Sequence, residues 1–407
     1  WQSSTPETWR RQRSQQLNPL FEVAKKLPES AFLICATTMG GLLGFIHGEN
    51  PQQGLVSGFI KALHRERTGQ LIKLIDFKPG MKGAAVADIL INETLHDPVT
   101  TEIGYEGGSR FSVSLRELPA DGLERSALAQ GSVFVVSGAT GGIMAPVLLD
   151  LARATHGSFF LMGRTPLPLR DDPDFQSLKS DRNAYRMKLQ KQMQEKGEKA
   201  TPVQLDQHIM AMERVAATLE MIDAIQSLGG SASYVLCDVT NQDAVDAAIG
   251  QIKKSTDHVD YFIHAAGMEK SRKIESKSAE ETEQTVAVKA DGFYLTFRAL
   301  EKANLLPRSV VFFSSLAGRF GNSGQTDYSA ANDMLSKFAV WLPGQYPGMK
   351  AISIDWGAWD EVGMASRGNI PTLMERAGIE MLKPSSAALM VRKALEFGLS
   401  GEFVVAG

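Results

Sequence analysis

Cysteine is almost absent from this sequence of 407 residues, which contains only Cys35 and Cys237. The two lie far apart, and neither belongs to a Cys-x-x-Cys pair. A disulfide framework needs a set of spaced cysteines and a cysteine zinc site needs paired ligands, so the sequence argues against both. We predict no metal site. Because so few cysteines fit a reducing compartment, we expect a cytoplasmic location.

An excess of positive charge is also missing. The chain has 43 Lys and Arg residues against 46 Asp and Glu residues, a formal net charge of −3. Proteins that bind nucleic acid or anionic membranes need a positive field, so we expect neither partner. No apolar run reaches the roughly 18 residues that span a bilayer, and the first residues do not form a signal peptide. The chain does not begin with methionine, and we interpret it as a piece of a longer protein.

The sequence does contain a repeated pattern, in which a strand-like run is followed by a turn rich in glycine. The pattern occurs at residues 31–41 and again at 133–142. The first copy has Ala36 and Met39 where the second has Gly138 and Gly141. A side chain at either place crowds a backbone that must approach a phosphate. We therefore predict two related α/β units, of which the first is degenerate.

The predicted fold class is α/β, with two Rossmann-like units built on doubly wound parallel sheets. Residues 1–28 are polar and predict a linker or a peripheral helix, residues 29–122 form the first unit, and residues 123–407 form the second. In the second unit, strand-like runs alternate with amphipathic helical stretches, which is typical of a parallel sheet with helices on both faces. The predicted strands are 133–136, 159–162, 233–236, 261–264, 310–313 and 351–354.

The segment from about 167 to 229 is too long for one crossover and predicts a helical insertion. Its stretch from Lys179 to Lys199 carries an excess of basic residues. Such a charge run usually coats a solvated surface, and that interpretation is favoured. The alternative is a docking surface for an acidic partner. The basic residues concerned are Lys179, Arg182, Arg186, Lys188, Lys191, Lys196 and Lys199.

The glycine-rich turn of the second unit predicts a dinucleotide site. It follows a strand and opens a helix, so that helix amides and the helix dipole stabilise a pyrophosphate. Arg164 ends the next strand, where an acidic residue binds the ribose of NAD and a basic one binds the 2′-phosphate of NADP. Since a guanidinium matches a phosphate, Arg164 favours NADPH. The turn residues expected to bind the cofactor are Gly138, Thr140, Gly141, Gly142 and Ile143.

Two further strand ends are expected to line the same site. Asp238 and Val239 end the third strand of the second unit, where a carboxylate accepts a hydrogen bond from the adenine amino group. Small residues end the fourth strand and leave room beside the nicotinamide ribose. His264 precedes them, and with no acid or metal partner in view we interpret it as structural rather than as a general base. The small residues are Ala265, Ala266 and Gly267.

Four polar residues predict the catalytic centre. Ser315 ends the fifth strand of the second unit, and Tyr328 follows it by thirteen residues. Asn332 lies four residues after Tyr328, so the two share one helical face. Lys289 lies upstream.

With these residues the chain resembles the short-chain dehydrogenase/reductase superfamily, and within it the ketoreductase domains of type I polyketide and polyunsaturated-fatty-acid synthases. Most of that superfamily carries Tyr-x-x-x-Lys with an Asn on the preceding helix, whereas the synthase ketoreductases exchange the two. Lys289 and Asn332 show the exchanged form. The resemblance covers residues 30 to 407. It implies that the first unit is truncated and non-catalytic, and the equivalent helix at 54–61 lacks the tyrosine.

The resemblance also implies an activity and its partners. The expected reaction is NADPH-dependent reduction of a β-ketoacyl thioester to the β-hydroxyacyl thioester. The substrate would be carried by the phosphopantetheine arm of an acyl carrier protein, beside neighbouring synthase domains. Tyr328 would donate a proton and Ser315 would hydrogen-bond the carbonyl. The resemblance also places Lys289 near Tyr328, and because a lysine cation favours tyrosinate, we expect it to lower the pKa of Tyr328 from about 10. Lys289 would hold the nicotinamide ribose, while Asn332 would position the lysine or a water.

The sequence departs from the family pattern in places. Met144 replaces the last glycine of the turn, and Phe320 replaces a tryptophan associated with one product stereochemistry. The Leu-Asp-Asp sequence associated with the other stereochemistry is absent after Gly267. Product stereochemistry therefore stays open.

Two alternative functions also stay open: a catalytically silent dinucleotide-binding scaffold, and another enzyme on this fold, such as an epimerase or an alcohol dehydrogenase. The segments 356–359 and 363–365 resemble the family's nicotinamide-side strand end and substrate lid.

Overall fold

The computed structural model describes residues 4–46, 48–119, 122–197, 201–363, 370–376 and 378–407. In this part of the chain, no helix is long and apolar enough to cross a membrane. The helices are α1 (Pro6–Lys26), α2 (Gly54–Glu66), α3 (Gly83–His96), α4 (Met144–Thr155), α5 (Pro173–Ser180), α6 (Arg182–Glu195), α7 (Pro202–Ser227), α8 (Gln242–Lys253), α9 (Ala279–Lys302), α10 (Leu316–Phe320), α11 (Thr326–Gln345), α12 (Ile370–Arg376) and α13 (Pro384–Glu396). The strands are β1 (Leu33–Thr37), β2 (Ile72–Phe77), β3 (Glu102–Glu106), β4 (Ser109–Phe111), β5 (Val133–Ser137), β6 (Ser158–Gly163), β7 (Ser231–Leu236), β8 (Tyr261–His264), β9 (Ser309–Ser315), β10 (Lys350–Trp356) and β11 (Gly401–Val405).

The larger sheet contains β5 to β11 in the order β11-β10-β9-β8-β5-β6-β7. All its pairings are parallel. The strands predicted in the second unit are confirmed as β5 to β10. The edge strand β11 was not predicted, because its short run of apolar residues at the end of the chain has no helical stretch after it. The carboxyl ends of β5, β8 and β9 meet at one edge, which is where parallel sheets bind ligands.

The smaller sheet has the order β1-β2-β3-β4. Its first three strands are parallel, as predicted. The fourth strand is antiparallel to β3, which the sequence prediction did not include. The two are joined by Gly107 and Gly108, whose φ angles are +57° and +82°, and glycine adopts such left-handed angles without strain.

The loop after β1 is bound by a carboxylate from its own sheet. Asp76 on β2 is fully buried. It accepts hydrogen bonds from the backbone N–H of Met39 at 2.6 Å and of Leu43 at 2.8 Å. The Thr37 hydroxyl donates a third at 2.8 Å. In the second unit the corresponding turn is the predicted phosphate site, so in the first unit a protein carboxylate takes up the amides that a phosphate would need.

The first helix lies deeper in the fold than the sequence suggested. Trp9, Leu17 and Phe21 on α1 are buried in the main hydrophobic core. Trp9 stacks on a tyrosine of α9 with ring centroids 4.4 Å apart, and its indole N–H donates to Asp291 at 2.9 Å. Of the two predictions for residues 1–28, a linker or a peripheral helix, the structure has a helix, with one face buried against the core and the other exposed. The helix has apolar residues at helical spacing on one face, which its many Arg and Gln residues make hard to recognise in the sequence.

The two units pack through α2 and α11 at backbone distance. A Cβ atom at Gly58 would lie 2.2 Å from the carbonyl oxygen of Ser329, and one at Gly54 would lie 2.6 Å from the Cα atom of Met334. These glycines are four residues apart and so share one face of α2. Only glycine permits the backbones of α2 and α11 to come this close. The first unit therefore packs directly on the helix that carries Tyr328.

Buried charges surround this helix contact. Lys61 on α2 lies 2.9 Å from Asp333 on α11, and Lys337 lies 3.1 Å from Glu402 on β11. Arg319 on α10 pairs with Glu402 at 3.3 Å and also with Glu102 on β3. All these side chains are nearly inaccessible to solvent. The opposite charges compensate one another, which is what makes their burial tolerable.

The predicted helical insertion contains α5, α6 and α7, with a small hydrophobic core of its own around Tyr185 and Ile209. Five of its seven basic residues between Lys179 and Lys199 form ion pairs with carboxylates of the same insertion. Since neighbouring carboxylates offset these charges, the structure favours the interpretation as a solvated surface over that of a dock for an acidic partner. Lys199 lies outside the described residues. The ion pairs are Lys179–Glu220, Arg182–Glu213, Arg186–Asp206, Lys188–Asp174 and Lys191–Glu195.

Candidate active site

Ser315 stands at the carboxyl end of β9. Its side chain also caps α10, because its hydroxyl oxygen accepts the backbone N–H of Ala317 at 3.2 Å. The residue is in extended backbone conformation, with φ −151° and ψ 150°. The change from strand to helix at this residue leaves the hydroxyl at the ligand-binding edge of the sheet.

Tyr328 and Asn332 lie on one face of α11, as their spacing predicted. Tyr328 is 8% exposed and Asn332 is fully buried. The Asn332 amide donates to the backbone carbonyl of Tyr328 at 2.7 Å. Its Oδ1 atom has no hydrogen-bond partner among the described residues. Asn332 therefore holds the first turn of the helix through its amide nitrogen, and its buried Oδ1 atom is free to accept a hydrogen bond.

Lys289 reaches the same place from α9. Its Nζ atom lies 5.8 Å from the centroid of the Tyr328 ring and donates to the backbone carbonyl of Phe313 at 2.7 Å. Burial lowers the pKa of Lys289 to about 7, although the carboxyl group of Asp355 on β10 acts in the opposite direction. The structure thus brings Ser315, Tyr328, Asn332 and Lys289 together around the end of β9.

The expectation that Lys289 lowers the pKa of Tyr328 is wrong. Burial raises the pKa of Tyr328 to about 12, and the carboxylate of Glu269 adds to the increase. Hydrogen bonding by Asn332 and Ser315 offsets only part of it. The sequence argument considered the lysine charge alone and omitted the cost of placing a phenolate away from water. At neutral pH the phenol is therefore protonated, which suits a proton donor.

His264 is structural, as its sequence context indicated. It is fully buried. Its Nδ1 atom is 2.7 Å from the Ser137 hydroxyl, and its Nε2 atom is 3.0 Å from the backbone carbonyl of Lys289. Burial lowers its pKa to about 3, so the ring is neutral. It ties β5 and β8 to the helix that carries Lys289.

The glycine-rich turn after β5 approaches the end of β8 closely. Gly138 has φ +74°, and a Cβ atom there would lie 2.5 Å from the backbone nitrogen of Ala266. A Cβ atom at Gly267 would lie 3.0 Å from the Lys289 side chain. The helix that follows, α4, has no side-chain cap at Ile143. Amides at an uncapped helix start and a glycine cradle fit a pyrophosphate.

Met144 is the first residue of α4 and does not obstruct the turn. Its side chain is fully buried in the hydrophobic core that contains Val147, Leu148 and Leu151 of the same helix. Gly141 and Gly142 lie close to other backbone, since a Cβ atom would lie 3.2 Å from the carbonyl oxygen of Gly138 at the first and 3.3 Å from the backbone nitrogen of Gly363 at the second. Glycine therefore suits both positions of this tight turn.

The predicted adenosine end lies beside this turn. A Cβ atom at Gly163, the last residue of β6, would lie 3.0 Å from the Thr140 side chain, so the two segments adjoin. Arg164 follows, exposed, and forms no ion pair with any described residue. Asp238 is exposed and accepts the Thr240 hydroxyl at 2.7 Å, whereas Val239 is 8% exposed and packs in the core. Asp238 thus keeps its second oxygen available.

The segment after β10 borders the same edge. Trp356 and Trp359 are buried with ring centroids 5.0 Å apart. A Cβ atom at Gly142 would lie 3.3 Å from the backbone nitrogen of Gly363, so this segment covers the glycine turn. The rest of the predicted lid, Met364 and Ala365, lies outside the described residues.

Sequence spacing did not identify two charged residues beside Tyr328. Asp327 precedes it on α11 and forms a buried ion pair with Lys277 at 2.6 Å. Glu269 follows β8 and raises the pKa of Tyr328. Asp327 could have been found from the sequence, because it directly precedes the tyrosine. Glu269 is far from Tyr328 in the sequence and is brought near it only by the fold.

The sequence model of one protein family, described as the KR domain, matches residues 132–361. The chain belongs to the KR domain family. The match includes the glycine turn, Arg164 and all four residues around the end of β9. KR domains of the short-chain dehydrogenase/reductase superfamily bind a nicotinamide dinucleotide, in agreement with the resemblance noted from the sequence.

Curated relatives of this KR domain are much longer proteins. A polyunsaturated fatty acid synthase of Thraustochytrium sp. is 26% identical over 79% of the chain, and the chain spans 12% of its length. Polyketide synthase PksL of Bacillus subtilis is 24% identical over 79% of the chain, which spans 6% of it. The KR domain is therefore similar to one portion of large synthases.

Solved structures share the fold of this KR domain. A ketoreductase domain from the bacillaene assembly line superposes with a TM-score of 0.73 at 21% identity, covering 99% of this chain and 84% of that one. A structure of a keto acid-selecting NRPS module that includes a ketoreductase has a TM-score of 0.75 at 16% identity, covering 99% and 31% of the two chains. The prediction of an α/β fold with two Rossmann-like units is confirmed.

Proposed function

We propose that this KR domain reduces a β-ketoacyl thioester to the β-hydroxyacyl thioester with NADPH, as one domain of a multidomain synthase. The observation that carries the proposal is the convergence of Ser315, Tyr328 and Lys289 at the end of β9. The substrate is carried on the phosphopantetheine arm of an acyl carrier protein. A cytoplasmic location, suggested by the two cysteines, is part of the same proposal.

The dinucleotide would be held by the turn after β5, with Arg164 at the 2′-phosphate and Asp238 at the adenine. Lys289 and the small residues that end β8 would border the nicotinamide ribose. When bound, NADPH supplies the hydride that adds to the β-carbon of the substrate. The glycine cradle and the uncapped start of α4 support this placement.

The residues around Tyr328 would bind the ketone oxygen of the substrate and protonate it. The Ser315 hydroxyl donates a hydrogen bond to the ketone oxygen and stabilises the charge that develops there. Tyr328 transfers its phenolic proton to that oxygen, which completes the alcohol and leaves a phenolate. Lys289 does not lower the pKa of Tyr328, and its proposed role is to hold the nicotinamide ribose beside the phenol. Asn332 holds the helix turn that carries Tyr328.

The function is tested by following NADPH absorbance with a small β-ketoacyl thioester as substrate. We expect consumption of NADPH and formation of the β-hydroxy thioester in equal amounts. Oxidation of free alcohols without thioester reduction would favour another enzyme on this fold. No consumption with any substrate would favour a catalytically silent scaffold.

The choice of NADPH over NADH is expected to depend on Arg164. Replacing it with alanine removes a charged contact to the 2′-phosphate, worth about 1.5–3 kcal/mol. We expect the KM for NADPH to rise by about 10–100-fold while the KM for NADH stays within twofold. Arg153→Ala, at an exposed position near the end of α4, is the matched control. An equal rise in both KM values would contradict the assignment.

A further inference from the structure

Two loops border Tyr328 and are joined to each other. The β8–α9 loop comprises residues 268–278, and the α10–α11 loop comprises residues 321–325. The backbone N–H of Arg272 donates to the carbonyl of Gly324 at 2.9 Å, and the Gln325 amide donates to the Ser271 hydroxyl at 3.1 Å. At the base of the loops, Lys277 pairs with Asp327 at 2.6 Å, with both side chains buried.

The first unit holds both loops through one carboxylate. Glu66 is the last residue of α2 and is half-buried. Its Oε2 atom accepts the backbone N–H of Gly324 at 3.0 Å, and its Oε1 atom accepts the backbone N–H of Ile274. Ile274 is fully buried. One side chain from the unit without a catalytic tyrosine therefore bridges the two loops.

Neighbouring contacts come from the same side. Arg67 pairs with Glu275 at 2.9 Å, and Lys25 on α1 donates to the backbone carbonyl of Lys277 at 2.8 Å. These two contacts reach the β8–α9 loop, while the backbone of α2 packs on the α10–α11 loop at Gly321, where a Cβ atom would lie 2.3 Å from the Lys61 backbone. Among these contacts only Glu66 bonds both loops, and it therefore couples their positions on the first unit's side.

The position of the loops matters for the site between them. The β8–α9 loop carries Glu269, whose charge acts on the Tyr328 phenol. The α10–α11 loop contains Gly324 at φ +78°, four residues before Tyr328. The β8–α9 loop follows β8, and the α10–α11 loop follows the short helix α10 at the end of β9, so both lie at the ligand-binding edge of the sheet. A shift between them changes the width of the space in front of the phenol.

We propose that Glu66 is a positioning residue, which fixes the two loops so that the acyl substrate is held with one face of its ketone toward the cofactor. This inference rests on the proposed reductase function. It says that Glu66 determines how well the substrate fits between the two loops. A carboxylate accepts two N–H donors at once. Glutamine of the same size presents an NH₂ group to one of them, so one hydrogen bond is lost and two donors face each other.

The test compares Glu66→Gln with Glu29→Gln, an exposed glutamate of the same unit. With a β-ketoacyl thioester we expect Glu66→Gln to raise KM by about tenfold and to leave kcat within about threefold. We also expect the share of the minor β-hydroxy enantiomer to rise several-fold. Glu66→Asp keeps both oxygens on a shorter chain and is expected to give intermediate values. Glu29→Gln is expected to match the wild type.

Amide hydrogen exchange gives a readout that does not need turnover. We expect exchange at Ile274 and Gly324 to become faster in Glu66→Gln and to stay unchanged in Glu29→Gln. If the wild type consumes no NADPH, the proposed function fails, while the exchange rates still decide whether Glu66 holds the loops. Unchanged exchange, or a fall in kcat with KM and enantiomer ratio unaltered, would overturn the proposal.

Discussion

Tyr328→Phe is expected to reduce kcat for thioester reduction by about 10²–10⁴-fold, the usual contribution of a positioned proton donor. The variant removes one oxygen atom from a buried side chain and leaves the ring, which packs near Lys289. Because the phenol is protonated at neutral pH, the wild type has a proton to give and the variant has none. Dinucleotide binding, measured by fluorescence titration, is expected to stay within about twofold, since the glycine turn is unchanged.

The matched control is Tyr185→Phe, which removes the same atom from a buried tyrosine of the helical insertion. It is expected to keep wild-type kcat. Retention of more than a third of the activity by Tyr328→Phe would remove this residue from the proton transfer. Loss of dinucleotide binding would instead show that the substitution disturbs the fold around β9.

Lys289→Met is expected to abolish measurable reduction and, at the same time, to make the protein more stable. The pKa of Lys289 is lowered to about 7 by burial, so unfolding takes up a proton between about pH 7 and the ordinary lysine pKa of about 10.4. The wild type therefore gains stability as pH rises through this range. Methionine has no such charge to bury, and we expect it to add about 2–4 kcal/mol to the free energy of unfolding at pH 7.

Chemical denaturation at pH 7 and at pH 10 measures the effect. The gain from Lys289→Met is expected to shrink toward zero at the higher pH, because the folded wild type then buries a neutral amine. Lys302→Met, at an exposed position on the same helix, is the control and should show little change at either pH. A gain that does not depend on pH would mean that burial does not depress the pKa of Lys289.

The sequence was most informative where local patterns determine structure. Strands β5 to β10 follow from short apolar runs between helical stretches, and the helical face shared by Tyr328 and Asn332 follows from their spacing. The burial of α1 was missed, because its apolar residues are few and its partners on α9 lie almost 300 residues away. The predicted direction of the Tyr328 pKa was wrong for a similar reason, since burial depends on every element packed around the side chain. Glu66 contacts residues more than 200 positions later, which no spacing rule detects.

The carboxylate of Asp76 limits what engineering can do with the first unit. Mutating Ala36 and Met39 to glycine would widen the loop after β1, yet a second nucleotide would still meet the buried carboxylate of Asp76 at the place where its phosphates must go. Like charges at such distances repel strongly away from water. Removing Asp76 as well would leave several amides without an acceptor until a ligand arrived, at a cost to folding. A version of this chain with two nucleotide sites would therefore need a redesigned β2, because Asp76 on that strand occupies the amides of the loop after β1.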